Sequence, residues 1–292
     1  MKRFNIYIIL FTVVLSGCFV DSLKPKELTD YKDKIVVNGV LSNASGISIQ
    51  VTNSKAAFDS EFPKLVKDAE VKLFQNQIEI PLTYDLFSEQ YTAPNTITSG
   101  AAVTLEIKHP DYSNVTSIFR MPDKINATST LIEDGGIDTS GYVSDLVEVS
   151  FNDPGGSQNY YIINFFYRNE TLNQYIPISF PSTDPSLAEY NSYKLNNAAI
   201  LFTDELFNGR TKKISMVPVS GLVAGNTGDK YMVQLSSITE DLYKYYKSLQ
   251  RAEDAKEISF DAGYNNAVVI HSNIRHGLGI LGGADVNQMI LK

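Results

Sequence analysis

"VKLFQNQIEIPLTY", residues 71–84, sets the fold class. Val71 and Leu73 flank Lys72, the polar run Gln75-Asn76-Gln77 interrupts, and Ile78, Ile80, Leu82 and Tyr84 then alternate again. A period of two belongs to a strand with one face buried, so two such runs about a short polar break predict a β-hairpin. The same period appears upstream at Ile47, Ile49 and Val51, and downstream at Val103, Leu105 and Ile107. Residues 35–122 therefore read as a β-sandwich domain, and "DAEVKLFQ", "YTAP" and "SGAAVTLEIKHPDY" resemble small immunoglobulin-like or prealbumin-like domains.

Beyond Pro122 the period is lost. "DKINATSTLIEDGGIDTSG" is polar with paired glycines, so residues 123–145 read as a linker. Alternation resumes at Val147, Val149 and Phe151, while "YYIINFFYR" (160–168) is apolar on both faces, as in a central strand covered on two sides. Further strands are expected at 198–203, 212–219, 230–236, 266–271 and 286–291, which makes residues 146–292 a larger β-rich domain. One amphipathic helix is expected near 238–252: Ser237 and Glu240 have capping-box spacing, and Leu242, Tyr245, Tyr246 and Leu249 form one apolar face. The expected fold class is mainly β, with 17 Tyr and 15 Phe supplying core volume in a chain of 292 residues without Trp.

The chain has one cysteine, in "VVLSGCFVDS" (13–22), so no internal disulfide exists. Lys2 and Arg3 precede an uncharged run from Ile6 to Leu15, too short for a membrane span, which identifies residues 1–17 as a signal peptide. Leu15-Ser16-Gly17-Cys18 resembles the bacterial lipobox, whose cysteine sulfur carries diacylglycerol; Cys18 is then the lipidation site and 18–34 a polar, lipid-anchored spacer. Thirty-three acidic against 25 basic residues give a net charge of −8 and no basic stripe, which argues against nucleic acid as a partner.

Little in the sequence points to catalysis. His109, His271 and His276 have no chelating spacing, and the chain has neither a G-x-S-x-G elbow nor an H-E-x-x-H motif. Glu133, Asp134 and Asp138 in "IEDGGIDTSG" have the oxygen-rich look of a calcium loop without its spacing, and Asp204 and Glu205 sit beside the turn Asn208-Gly209. "GLVAGNTGDK" (221–230) lacks the Lys-Ser/Thr of a phosphate loop. Gly277, Gly279, Gly282 and Gly283 in "HSNIRHGLGILGGADV" suggest a bulged closing strand rather than a nucleotide loop. No cofactor or metal is expected, and an enzyme is not.

Four stretches, "VSFNDPGGSQNYYIINF", "LFTDELFNGRTKKI", "YMVQLSSITEDLYKYYKSL" and "HSNIRHGLGILGG", together resemble the domain of unknown function 4249 family of Bacteroidota outer-membrane lipoproteins. Arg275-His276-Gly277 and Leu281 depart from the family's pattern at the last of them. The resemblance implies a lipid anchor on the outer membrane and a TonB-dependent transporter as neighbour; a position on the cell surface is expected, with the face of the membrane left open. It carries no catalytic residues. Asp21-Ser22-Leu23 also resembles a short O-glycosylation signal of that phylum. The expected function is accordingly that of a non-enzymatic binding or accessory lipoprotein, with an adhesin and a glycan or peptide hydrolase as alternatives, and a small-molecule or glycan ligand left open. "NQYIPISFPSTDPSLAEYNSYK" (173–194), rich in aromatics and long for a connection, is expected to contribute a contact surface for the transporter or its cargo.

Overall fold

The computed structural model describes residues 31–56, 61–182, 184–187, 192–196, 199–223, 228–257 and 268–292. The expected signal peptide, the expected lipidation site Cys18 and most of the expected spacer lie outside them. The strands, in chain order, are β1 (Ile35–Ser42), β2 (Ile47–Asn53), β3 (Glu70–Gln75), β4 (Ile78–Ile80), β5 (Thr83–Asp85), β6 (Gln90–Ala93), β7 (Ala102–His109) and β8 (Tyr112–Arg120). They continue with β9 (Ala127–Ile137), β10 (Val143–Asn152), β11 (Tyr160–Asn169), β12 (Gln174–Pro177), β13 (Ser192–Asn196), β14 (Ala199–Thr203), β15 (Thr211–Met216), β16 (Tyr231–Ile238) and β17 (Leu278–Leu291). Among the described residues there is one α-helix, α1 (Glu240–Glu257), and one short 3-10 turn at Pro185–Leu187. The chain is mainly β.

The expected hairpin is present as β3 and β4, paired from Leu73↔Ile80 to Gln75↔Ile78. Its two turn residues, Asn76 and Gln77, have φ of 49° and 68°, the left-handed pair that a two-residue hairpin demands. Asn accepts that geometry; Gln does so only against the contact of its Cβ with the backbone. Gln77→Gly is therefore expected to raise stability by about 1 kcal/mol, seen as a higher urea midpoint at unchanged slope. The alternation at 71–84 is not one sheet, however. After Pro81 the chain crosses over, and Thr83–Asp85 pairs with β6 in the opposite layer.

One large sheet, ordered β13-β14-β11-β16-β17-β1-β2-β6-β5 with β12 added beside β11, runs through both halves of the sequence. Two smaller sheets, β4-β3-β7-β8 and β15-β10-β9, pack on it. Ile35, Val37, Ile49, Leu73, Leu105 and Leu281 belong to the core beneath the first. Phe151, Tyr161, Phe165, Phe202, Tyr231 and Leu291 belong to the core beneath the second. Leu281 and Leu291, odd-numbered on β17, enter these cores, whereas Ile280 and Ala284, even-numbered, meet α1 on the opposite face. Alternation along one strand thus puts both small sheets on one side of the large sheet and the helix on the other. Strand β11 meets its expectation: Tyr161, Ile163 and Phe165 face one core while Tyr160 and Ile162 face the helix.

Strands β1 and β17 pair in parallel from Val36↔Leu278 to Ser42↔Ala284, joining the start of the folded chain to its end. Residues 33–55 and 60–292 accordingly form one compact unit. The linker expected at 123–145 is corrected: residues 127–137 are β9, paired with β10 from Ala127↔Phe151 to Ile137↔Val143. Its inward positions near the core are Ala127 and Leu131, so only one large apolar side chain marked it in the sequence. The strand expected at 266–271 is also corrected. Residues 268–271 carry no strand, and the His271 amide donates instead to Ser248 Oγ on α1, at 2.8 Å. Within 173–194 the described residues include β12 and β13 rather than a plain loop, and Phe180 and Leu187 are buried in the second core.

Candidate functional site: a groove between the helix and the large sheet

Helix α1 begins two residues later than its expected cap implied. Ser237 is still in β16, and Thr239 is the N-cap, its carbonyl accepting the Tyr243 amide at 3.0 Å. The Thr239 amide donates to the Gly283 carbonyl at 3.0 Å, and the Gly283 amide donates to Thr239 Oγ1 at 3.2 Å. These bonds tie the start of the helix to β17. A Cβ on Gly282 would stand 2.8 Å from Leu242 Cβ, so glycine there lets the helix lie directly on the strand. Leu242 and Tyr243 are buried, and the Tyr243 ring lies 4.8 Å from that of Tyr160. Lys244 pairs with Glu240 at 2.8 Å, one turn apart, and this bond holds the Glu240 carboxyl below its usual range.

The second half of the helix stands over the sheet without filling the space. Leu249, expected on the buried face, is only half-buried and lines a groove of about 740 Å3 together with Leu242, Tyr246, Gln250, Glu253 and Asp254. The floor comes from the helix side of four adjacent strands: Asn164 on β11, Gln234 and Ser236 on β16, Val286 on β17, Val40 on β1. Asn164 pairs in register with Gln234, and Gln234 with Gln288, so three amide side chains cross the sheet in one row. Gln288 Nε2 donates to Gln234 Oε1 at 3.3 Å. Burial pushes the Tyr246 phenol above its ordinary pKa, and Gln250 Oε1 is buried without a hydrogen-bond partner among the described residues. None of the described residues lining the groove is basic.

A second cleft, about 730 Å3, opens at the helix N-terminus, between the end of β8 and residues 154–160. Arg120 meets Asp123 there at 2.8 Å, and the Tyr160 phenol is pushed up to about 12, by burial first and then by the nearby Glu240 charge. Below it, two of the sequence stretches that carried the family resemblance come together. Asp153 Oδ1 accepts the Tyr161 hydroxyl and Oδ2 accepts the Gly209 amide at 2.8 Å. Asn159 Nδ2 donates to Asp204 Oδ2 at 3.2 Å, and the other Asp204 oxygen is buried with no partner among the described residues. Burial raises the pKa of Asp204, and the Asp153 charge adds to the rise.

The acidic groups singled out in the sequence do not converge on a substrate-sized opening. Glu133 pairs with Lys230. Asp138 accepts the Ser140, Tyr142 and Ser220 amides at 2.9 Å each, and the Ser220 amide is the largest cause of its lowered pKa. Asp204 is fully buried, and Glu205 beside it is exposed. The histidines are separate too: His109 Nε2 meets Asp68 at 3.2 Å, His271 Nε2 meets Asp241 at 2.8 Å, and His276 is exposed at φ 63°. No group of three or more His, Cys, Asp or Glu able to hold a metal occurs among the described residues. Residues 224–227 of the 221–230 glycine run lie outside them.

The bulge expected in the closing strand is corrected as well. Pairing of β17 with β1 runs without a register shift, and the glycines serve close approach to β1, α1 and Met121. The sequence reading missed the groove's amides, whose signal was present: Asn164 and Gln234 are polar residues at the helix-facing positions of strands whose alternate residues fill the core. Nothing in one strand's pattern said that they would fall side by side.

The model of the family described as Domain of unknown function (DUF4249) matches residues 21–290, nearly the whole chain. The chain belongs to the DUF4249 family. All four stretches that resembled it lie within the match: the first two meet around Asp153, Asn159 and Asp204, and the last two around Thr239 and Gly283. Among curated proteins, none matches this DUF4249 chain significantly. Among solved structures, the yeast delta-COP-I mu-homology domain aligns over 89% of this chain and 94% of its own, with 9% identity and a TM-score of 0.25. At that score the likeness carries no argument. No helix among the described residues is long and apolar enough to cross a membrane.

Proposed function

We propose that this DUF4249 protein is a non-enzymatic binding lipoprotein of the outer membrane. It is held by lipid on Cys18, faces the cell surface, and serves as an accessory subunit of a TonB-dependent transport system. The observation that carries the binding role is the groove beneath α1, which has the size of a small-ligand site and a floor of uncharged hydrogen-bonding amides on a rigid sheet. Leu15-Ser16-Gly17-Cys18 supports the anchor, and the family resemblance supports the transporter as partner. In 173–194 the candidate contact residue becomes Tyr175, which is partly exposed with the Arg168 guanidinium 5.1 Å from its ring centre. Phe180 and Leu187 belong to the core instead, so deleting the segment would disturb the fold.

One membrane experiment tests the reading. Cells expressing the tagged full chain are fed radiolabelled palmitate, and the protein is then recovered from mild detergent with whatever accompanies it. The wild type is expected to take up label and bring down a TonB-dependent transporter. Cys18→Ala is expected to take up none and to persist as an unprocessed precursor, and Tyr175→Ala to recover less transporter at equal yield. An unlabelled wild type in the membrane fraction would sink the anchor, and recovery of the chain alone would favour an adhesin.

A further inference from the structure

We infer that the groove beneath α1 takes a basic peptide: an apolar segment carrying lysine or arginine. The inference rests on the reading of this groove as the binding site and adds its chemistry. Charge points one way. Glu253 and Asp254 form the groove's rim, both exposed, and no described lining residue is basic. They lie near the C-terminal end of an 18-residue helix, where the macrodipole is already negative. A bound cation meets both the two carboxylates and the helix end. The net charge of −8 favours the approach of cationic ligands over a longer range.

The rest of the groove asks for amide donors and an apolar body. Gln250 Oε1 is a buried acceptor with no donor among the described residues, and a peptide N–H or a guanidinium supplies one. Asn164 and Gln234, paired in register on neighbouring strands of the floor, offer both donors and acceptors to peptide amide groups. Leu249 on the wall and Val40 on the floor, the latter 40% exposed, give apolar side chains something to cover. A neutral oligosaccharide would use the amides and Tyr246 but would leave the acidic rim without a role.

The test titrates the full chain in detergent with a labelled hexapeptide of alternating Lys and Leu, its lysine-acetylated form, and a neutral glucose hexasaccharide, following anisotropy or heat. The basic peptide is expected to bind. Acetylation, or the double change Glu253→Gln and Asp254→Asn, is expected to weaken it about tenfold, the scale of losing two partly screened ion pairs. Both residues are exposed, so an unchanged melting curve is expected alongside. Val40→Trp, which fills the groove from an exposed floor position, is expected to remove binding of the peptide altogether. Equal affinity for the acetylated peptide, or no binding of the basic one, overturns the inference. Saccharide binding that Val40→Trp abolishes overturns it while leaving the groove as the site, and peptide binding that Val40→Trp leaves intact overturns the groove reading itself.

Discussion

Gly279→Ala is expected to leave no cooperatively folded protein. Gly279 has φ of +97° and sits opposite Val37 in the parallel pairing of β1 with β17. A Cβ built there would lie 2.0 Å from the Val37 carbonyl oxygen and 2.9 Å from its carbonyl carbon, both backbone atoms inside a sheet that cannot step aside. The left-handed conformation alone costs a non-glycine residue about 1–2 kcal/mol. Prising β1 from β17 adds far more, because Val37 is fully buried in one core and β17 also supplies Leu281 and Leu291 to two. The expected loss exceeds about 4 kcal/mol, a large part of the stability of an ordinary domain. Gly141→Ala is the control, since its φ is +86° and a Cβ there meets nothing within 4 Å. It should cost only the conformational part. Soluble yield and urea denaturation read both, and a Gly279→Ala protein as stable as Gly141→Ala would show that the β1–β17 contact is not what the glycine protects.

That glycine illustrates how far the sequence could be read. Its spacing from neighbouring glycines was plain, but whether they permit a bulge or a close approach depends on what stands opposite, and Val37 is more than 240 residues away in the chain. Local pattern sufficed where local physics decides: the hairpin at Asn76-Gln77, the doubly covered strand at 160–168, and the existence of α1. It failed where partners decide. Strand β9 lies at the edge of a three-stranded sheet with Ala127 and Leu131 as its apolar inward residues, so its period was faint. Ser237 matched a cap by spacing, yet β16 continues through Ile238, and Thr239 instead caps the helix while bonding β17. Leu249 fell on the apolar face, yet it is only half-buried and lines the groove. The amide row was invisible for the same reason: Asn164, Gln234 and Gln288 are 70 and 54 residues apart, and only strand order sets them side by side.

Asp153→Ala is expected to lower stability by about 2–5 kcal/mol, the summed loss for a buried hydroxyl and a buried amide left without an acceptor. The hydroxyl is that of Tyr161, fully buried and packed between Phe151 at 5.1 Å and Phe202 at 5.4 Å between ring centres. The amide is that of Gly209. Neither finds water easily, since Asp153 itself is only 6% exposed. The same change also acts on Asp204, whose raised pKa has burial as its largest cause and the Asp153 charge as another. An acid whose pKa is raised by folding contributes stability below its unfolded pKa of about 3.9, and that contribution is lost as pH rises through the folded value. The wild type should therefore carry a stability term that declines above about pH 4. Asp204→Asn keeps an oxygen for the Asn159 amide and cannot ionise, so it should remove the decline and be at least as stable as wild type at neutral pH. Asp153→Ala should shrink the decline while lowering stability at every pH, because it relieves the like charge and strands two donors at once. Tyr161→Phe separates these effects, since it removes the hydroxyl and leaves both carboxylates. Urea denaturation at steps from pH 4 to pH 8 measures all four proteins. An Asp204→Asn protein with the wild-type pH slope would mean that Asp204 is not the group that titrates, and an Asp153→Ala protein of wild-type stability would mean that Tyr161 and Gly209 find other acceptors.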